Sequence, residues 1–240
     1  MNPNLYSRGE LMFRNQVVWI TGASSGIGEA LAQQFAAAGA RLVLSARRED
    51  ELQRVKQGCE QKGAAPEQVL VQPLDVTDHG AMPAAVDAVM ARFGRIDLLI
   101  NNAGISQRSL CVDTDMDVYR QLMEVDVLGQ IALTKHVLPL MYQQASGHIA
   151  VTSSVAGKIG APYRTGYCAA KHAVMGFFDA LRAEVADQGI GVTTITPGFI
   201  RTNISKHALQ GDGSEFGRVD AEIAGGMDVT RCAEVIMLSL

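Results

Sequence analysis

The sequence is poor in the features that would place it outside ordinary globular enzymes. No apolar run approaches the roughly 18 residues needed to cross a bilayer, and the opening "MNPNLYSRGELMF" is too polar for the apolar core of a secretory leader. The four cysteines (Cys59, Cys111, Cys168, Cys232) form no CxxC pair, which argues against a disulfide scaffold or a zinc ribbon and leads to the expectation of reduced thiols in a cytoplasmic protein. The five histidines (79, 136, 148, 172, 207) show no metal-ligand spacing, so no metal is expected. Lysine and arginine are scattered within a formal net charge of −4, and no basic stripe points to nucleic acid. Proline is sparse at 7, and no low-complexity tract or linker divides the 240 residues. One domain spanning 1–240 is expected, with 1–14 as an N-terminal tail.

What is present alternates. Short apolar, β-branched runs at 16–22, 40–46, 68–76, 96–104, 147–154 and 190–198 read as buried strands. Between them, 28–39, 48–63, 78–94, 117–144 and 164–189 read as helices, with Pro83 in the first turns of the third. Strict alternation implies a parallel sheet covered on both faces, and right-handed crossovers make it a doubly wound α/β fold of Rossmann type.

The turn from first strand to first helix reads "TGASSGIG" (21–28). Glycines there let the chain turn sharply and let backbone N–H groups at a helix start approach a pyrophosphate. The candidate cofactor contacts in it are Gly22, Ser24, Ser25, Gly26, Ile27 and Gly28; Glu29 stands where a Walker loop would need lysine. The second strand ends "LSARRED", with Ala46 where an acid would hold the ribose of NAD and Arg47 next, which favours NADP(H) over NAD(H). The alternative is that Arg47 and Arg48 are solvated charges at a helix start. Asp75, followed by Val76, could accept from the adenine amino group or could cap the next helix, a job open equally to Asp78.

In this order, "TGASSGIG", "LDVTD", "NNAG", "TSSVAG", "YCAAK" and "TPGFIRT" closely resemble the short-chain dehydrogenase/reductase family from about Gln16 to Gly198. "TPGFIRTNI" followed by "GDGSEFG" is similar to a subgroup of orphan carbonyl reductases with animal relatives. The resemblance implies that Asn102, Ala103 and Gly104 line the cofactor cleft, that Ser154 is the catalytic serine, and that Tyr167 is the general acid/base with Lys171 as its partner. It implies that Pro197, Gly198, Ile200 and Thr202 hold the nicotinamide end and that the protein is a homodimer or homotetramer. The segment 199–228, which sets the substrate, contains the polar, glycine-rich "SKHALQGDGSEFGRVD" and is expected to be a mobile lid over the cleft.

Chemically, hydride transfer to a carbonyl builds negative charge on oxygen and needs a proton. An unperturbed tyrosine, with a pKa of about 10, is a poor acid/base near neutrality. Residues four apart are neighbours on a helix, so Lys171 can set an ammonium, which favours the phenolate, beside Tyr167 and can also hold ribose hydroxyls. Ser154 would donate to the substrate oxygen. Two departures stand out. In the family an asparagine occupies the middle of the long helix, where "MEVDVLG" puts Asp126; this residue is kept as a fourth catalytic candidate whose charge could raise the lysine's pKa or weaken the proton relay. The family also continues past the last helix into a final strand, whereas this sequence stops inside or just after it, so the sheet is expected to lack a seventh strand unless the sequence is cut there. Small-molecule carbonyls or alcohols are the expected substrates; the alternatives are an epimerase or dehydratase using the same Tyr–Lys pair, and a non-catalytic NADP(H)-binding regulatory module.

Overall fold

The structure, a computed structural model, describes residues 13–240. Most of the expected tail, residues 1–12, lies outside the described residues. Six strands, β1 (Val17–Thr21), β2 (Arg41–Ser45), β3 (Val69–Val71), β4 (Leu98–Asn101), β5 (Gly147–Thr152) and β6 (Ile190–Ile195), form one sheet in the order 3-2-1-4-5-6, and every pairing is parallel. This is the doubly wound arrangement, in which the strand order reverses beside β1 and opens a crevice at the carboxyl ends of β1 and β4.

The alternation of side chains along β1 builds both layers. Val18 and Ile20 face helices α1 (Gly26–Ala37), α2 (Glu49–Gln61) and α7 (Val229–Met237), packing with Phe35, Leu52 and Ile236. Val17 and Trp19 face α3 (Met82–Phe93), α5 (Gly129–Gln144) and α6 (Thr165–Val185), packing with Val89, Val137 and Phe178. The indole N–H of Trp19 donates to Ser45 Oγ at 2.9 Å, so the largest buried side chain keeps no unpaired polar atom.

Three expected elements are corrected. The strand expected over 68–76 stops at Val71, because Pro73 has no N–H for a ladder; the chain stays beside β2 through Gln72 and Leu74 bonds to Leu44 and Ala46 carbonyls. The helix expected from 78 begins as a short tight turn, His79–Ala81, whose end is capped by the Asp78 carboxylate. The single long helix expected over 117–144 is two helices, α4 (Met116–Met123) and α5, joined by a π-helical turn at Glu124–Leu128, where the Gly129 N–H reaches back to the Glu124 carbonyl. Edge strand β6 is covered on the α6 side, where the Arg182 guanidinium donates to Val192 O at 2.8 Å and to Thr194 Oγ1 at 3.0 Å.

At Gly28 the start of α1 crosses the turn after β1 so closely that a Cβ would lie 2.3 Å from the Gly22 carbonyl oxygen. Gly28→Ala is therefore expected to lower stability by about 1–3 kcal/mol. Gly176, exposed within α6 with nothing within 4 Å of its Cβ position, is expected to gain up to about 1 kcal/mol on the same change. Urea midpoints of the two variants check the contrast.

Candidate functional site

Where β1, β4 and β5 end, their backbones are tied by side chains. Thr21 Oγ1 accepts from the Asn102 and Ala103 N–H groups at 3.0 and 3.1 Å. The Asn102 amide donates to the Thr21 carbonyl at 3.1 Å, and its Oδ1 accepts from Thr152 Oγ1 at 3.2 Å. These bonds hold open a cleft of about 1580 Å³. Gly22, with φ +64°, lets the chain turn close against Ala103 at its floor, where a Cβ would lie 2.8 Å from the Ala103 Cα. Ser25 is the N-cap of α1 but makes no side-chain capping bond, which leaves the first-turn N–H groups without a side-chain cap among the described residues. Glu29 would be an unwelcome charge beside an anion, but Arg54 neutralises it with two bonds of 2.7 and 2.9 Å and also donates to the Ser24 carbonyl.

The cleft brings together nearly every residue singled out from the sequence. Ser24, Ser25, Gly26 and Ile27 line it with Gly22; Arg47, Asp75 and Val76 line one end; Asn102, Ala103 and Gly104 line the floor. Ser154, Tyr167, Lys171, Pro197, Gly198, Ile200 and Thr202 line the other end. Gly28 is set back behind Gly22, where it permits the helix approach. Asp75 caps no helix, since its Oδ1 accepts from the Thr77 N–H and hydroxyl in a local turn. Arg47 and Arg48 both line the cleft beyond β2, with no acid between them and Ala46. The segment 199–228, expected as a lid, forms one wall and is pinned by backbone bonds: Leu209 exchanges bonds with Ser106 and Arg108, and Met227 with Phe199 and Arg201.

Asp126 is fully buried behind the lysine. The π-turn points its carboxylate at the loop after β4, where Oδ1 accepts from the Ile105 N–H at 2.7 Å. Gln130 and Thr134, four and eight residues on, continue the stripe: the Gln130 amide donates to the Ala103 carbonyl at 2.9 Å and Thr134 Oγ1 accepts from Asn101 at 2.9 Å. The Lys171 ammonium, 3 % exposed, donates to the Thr152 carbonyl at 3.1 Å. It also faces Asp126 Oδ2 at 3.3 Å, an ion-pair distance without hydrogen-bond alignment, and lies 5.6 Å from the centre of the Tyr167 ring. Burial alone would pull the Lys171 pKa down, but the negative charges of the Asp126 carboxylate and the Tyr167 phenolate outweigh it and hold the ammonium above its ordinary range. Burial pushes the Asp126 carboxyl up, partly countered by Lys171 and the Ile105 N–H. The lysine keeps its proton and carries the charge, because the Thr152 carbonyl and an Asp126 oxygen both face it. Ser154 Oγ accepts from the Ala156 N–H at 3.1 Å, which leaves its own proton to donate into the cleft.

A profile of the family described as short chain dehydrogenase matches residues 16–213. The chain belongs to the short-chain dehydrogenase/reductase family. It is similar to human dehydrogenase/reductase SDR family member 7, with 47% identity over 235 residues, covering 97% of this chain and 69% of that protein. Among solved structures, a short-chain dehydrogenase/reductase from Burkholderia phymatum in complex with NAD matches at 27% identity with a TM-score of 0.83, over 93% of this chain and 85% of that one. An alcohol dehydrogenase from the archaeon Thermococcus sibiricus, complexed with 5-hydroxy-NADP, matches at 26% identity with a TM-score of 0.80, over 95% and 92%. As a short-chain dehydrogenase/reductase this is an oxidoreductase whose family binds nicotinamide cofactors, and the uncapped start of α1 with its glycine turn fits one.

Sequence reasoning missed Thr21, Arg54 and Gln107, because each acts on a residue distant in the chain. Gln107, fully buried, accepts at Oε1 from the Gly166 and Tyr167 N–H groups at 2.7 and 3.3 Å, and so caps α6 from outside it.

Lys171→Met would leave the Asp126 carboxylate buried without its cation, and a loss of about 3–5 kcal/mol at neutral pH is expected. In the wild type the raised Lys171 pKa contributes stability that is complete below its ordinary 10.5 and is lost as pH climbs through the higher folded value. In the variant the lone carboxyl, pushed up by burial, binds a proton more tightly folded than unfolded, so stability recovers as pH falls from neutral toward about 4. Urea midpoints of the wild type above pH 10.5 and of the variant between neutral and about pH 4 check the two signs.

Proposed function

We propose that the protein is an NADP(H)-dependent carbonyl reductase, catalysing reversible hydride transfer between the nicotinamide and a ketone or aldehyde, or the corresponding secondary alcohol. The observation that carries this reading is that Ser154, Tyr167 and Lys171 line one end of a cleft that runs past the uncapped start of α1 to Arg47 at its other end. A bound nicotinamide would supply the hydride. The chain supplies the rest: the Ser154 hydroxyl donates to the carbonyl oxygen, the Tyr167 phenol hands it the proton, and the Lys171 ammonium steadies the phenolate left behind. The absence of an acid at Ala46 and the presence of Arg47 and Arg48 support preference for the 2′-phosphate of NADP(H).

The outer part of the cleft supports an apolar substrate. Val155, Ile159, Tyr163, Phe199 and Ile204 all line it and all stay more than a third exposed. A homodimer or homotetramer through α5 and α6 belongs to the same proposal, supported by exposed Leu128 and Tyr142 on the α4–α5 unit. A reducing compartment such as the cytoplasm is supported by four cysteines that are all free.

Tyr167→Phe is expected to lower NADPH-dependent turnover of ketones by about 10²–10⁴-fold while leaving NADPH binding in place; unchanged turnover would remove the tyrosine from the chemistry. Arg47→Asp is expected to reverse the ratio of NADPH to NADH affinity, measured by quenching of protein fluorescence. A wild type that binds NADH as well as NADPH would remove the preference.

A further inference from the structure

The first turn of α6 carries Tyr167, yet it has no cap of its own: Arg164 at its N-cap makes no side-chain bond to the helix. The cap comes from Gln107, 60 residues earlier. The amide is held at both ends, since its Oε1 accepts from Gly166 and Tyr167 while its Nε2 donates to Ser109 Oγ at 3.0 Å and lies within 3.3 Å of Thr114 Oγ1 and 3.5 Å of Thr165 Oγ1. Its backbone is committed in the opposite direction. Gln107 forms a parallel bridge with Leu209, flanked by Leu209 N–H to Ser106 O and Arg108 N–H to Leu209 O, each 2.8 Å. One residue thus touches the substrate wall with its main chain and the tyrosine's main chain with its side chain. A second tether runs in parallel: Asp220 on the same wall accepts from Arg164 at 2.8 Å and from Arg108 at 3.0 Å.

We propose that Gln107 is a positioning residue that couples the docking of the 199–228 wall to the placement of Tyr167. When Leu209 pairs with 106–108, the Gln107 side chain is fixed; when the side chain is fixed, the first turn of α6 is fixed, and with it the phenol. The inference rests on the reading of Tyr167 as the proton carrier. A misplacement of about 1 Å in such a group costs on the order of 100-fold in rate.

Two variants and one exchange experiment test it. Gln107→Met keeps the length but removes both the acceptor and the donors. Gln107→Glu keeps the acceptor at the helix start, and the neighbouring hydroxyls can rotate to donate to it. With the ketone on which Tyr167→Phe has lost activity, the Met variant is expected to lose tenfold or more in kcat with NADPH affinity unchanged, and the Glu variant to stay within about threefold of wild type. Native-state hydrogen exchange of the wild type, with or without substrate, is expected to show the Arg108, Leu209, Gly166 and Tyr167 amides opening as one unit with a common denaturant dependence, and the Met variant to separate the first two from the last two. The proposal is overturned if the wild-type amides open independently, if the Met variant keeps wild-type kcat, or if both variants lose kcat alike. Activity that survives Tyr167→Phe would instead overturn the functional reading itself, which keeps the two failures distinct.

Discussion

A lysine ammonium buried where α6 passes the end of β5 constrains the rest of the site. Such a charge is costly to desolvate, and the chain meets that cost with a backbone carbonyl from Thr152 and a carboxylate from Asp126. Each partner belongs to a different element, so satisfying the lysine aligns β5, the α4–α5 unit and α6 at once. The π-turn is the local consequence: it is the irregularity that brings Asp126 inward while the helices on either side keep their own packing. Tyr167, one turn before the lysine, inherits its position from the same constraint.

The Asp126 carboxylate gives this chain a different electrostatic balance from one with a neutral amide at that position. The ammonium has a counter-ion of its own, so the charge it offers to the Tyr167 phenol is shared. The carboxylate still performs the positional work of an amide oxygen, accepting from the Ile105 N–H. The stripe formed with Gln130 and Thr134 anchors the loop after β4 from beneath, while Thr21 and Asn102 anchor it from the side. The cleft floor is therefore built almost entirely of main chain held by buried polar side chains, a surface suited to a flat, polar cofactor.

The parallel sheet and its layers were legible because buried parallel strands leave near-continuous β-branched runs, and all six showed in the sequence. Their ends were less legible: β3 read to Val76, five residues past its end, because the apolar pattern continues past Pro73, where the ladder cannot. The π-turn was invisible because a five-residue change of winding leaves the apolar spacing of "MEVDVLG" compatible with ordinary helix. The residues that share the cleft could be read where the contact is local, as between Tyr167 and Lys171. Arg54 neutralising Glu29 and Gln107 capping α6 could not, since nothing in either neighbourhood announces a partner 25 or 60 residues away.

The most direct test of the central claim is a crystal structure of the protein with NADPH bound. The account predicts the pyrophosphate against the Gly22–Gly28 turn and the nicotinamide ribose within hydrogen-bonding distance of the Lys171 ammonium, with Lys171 still held by Thr152 and Asp126. A cofactor whose ribose lies away from Lys171, or a lysine that abandons Asp126 to reach it, would contradict the account.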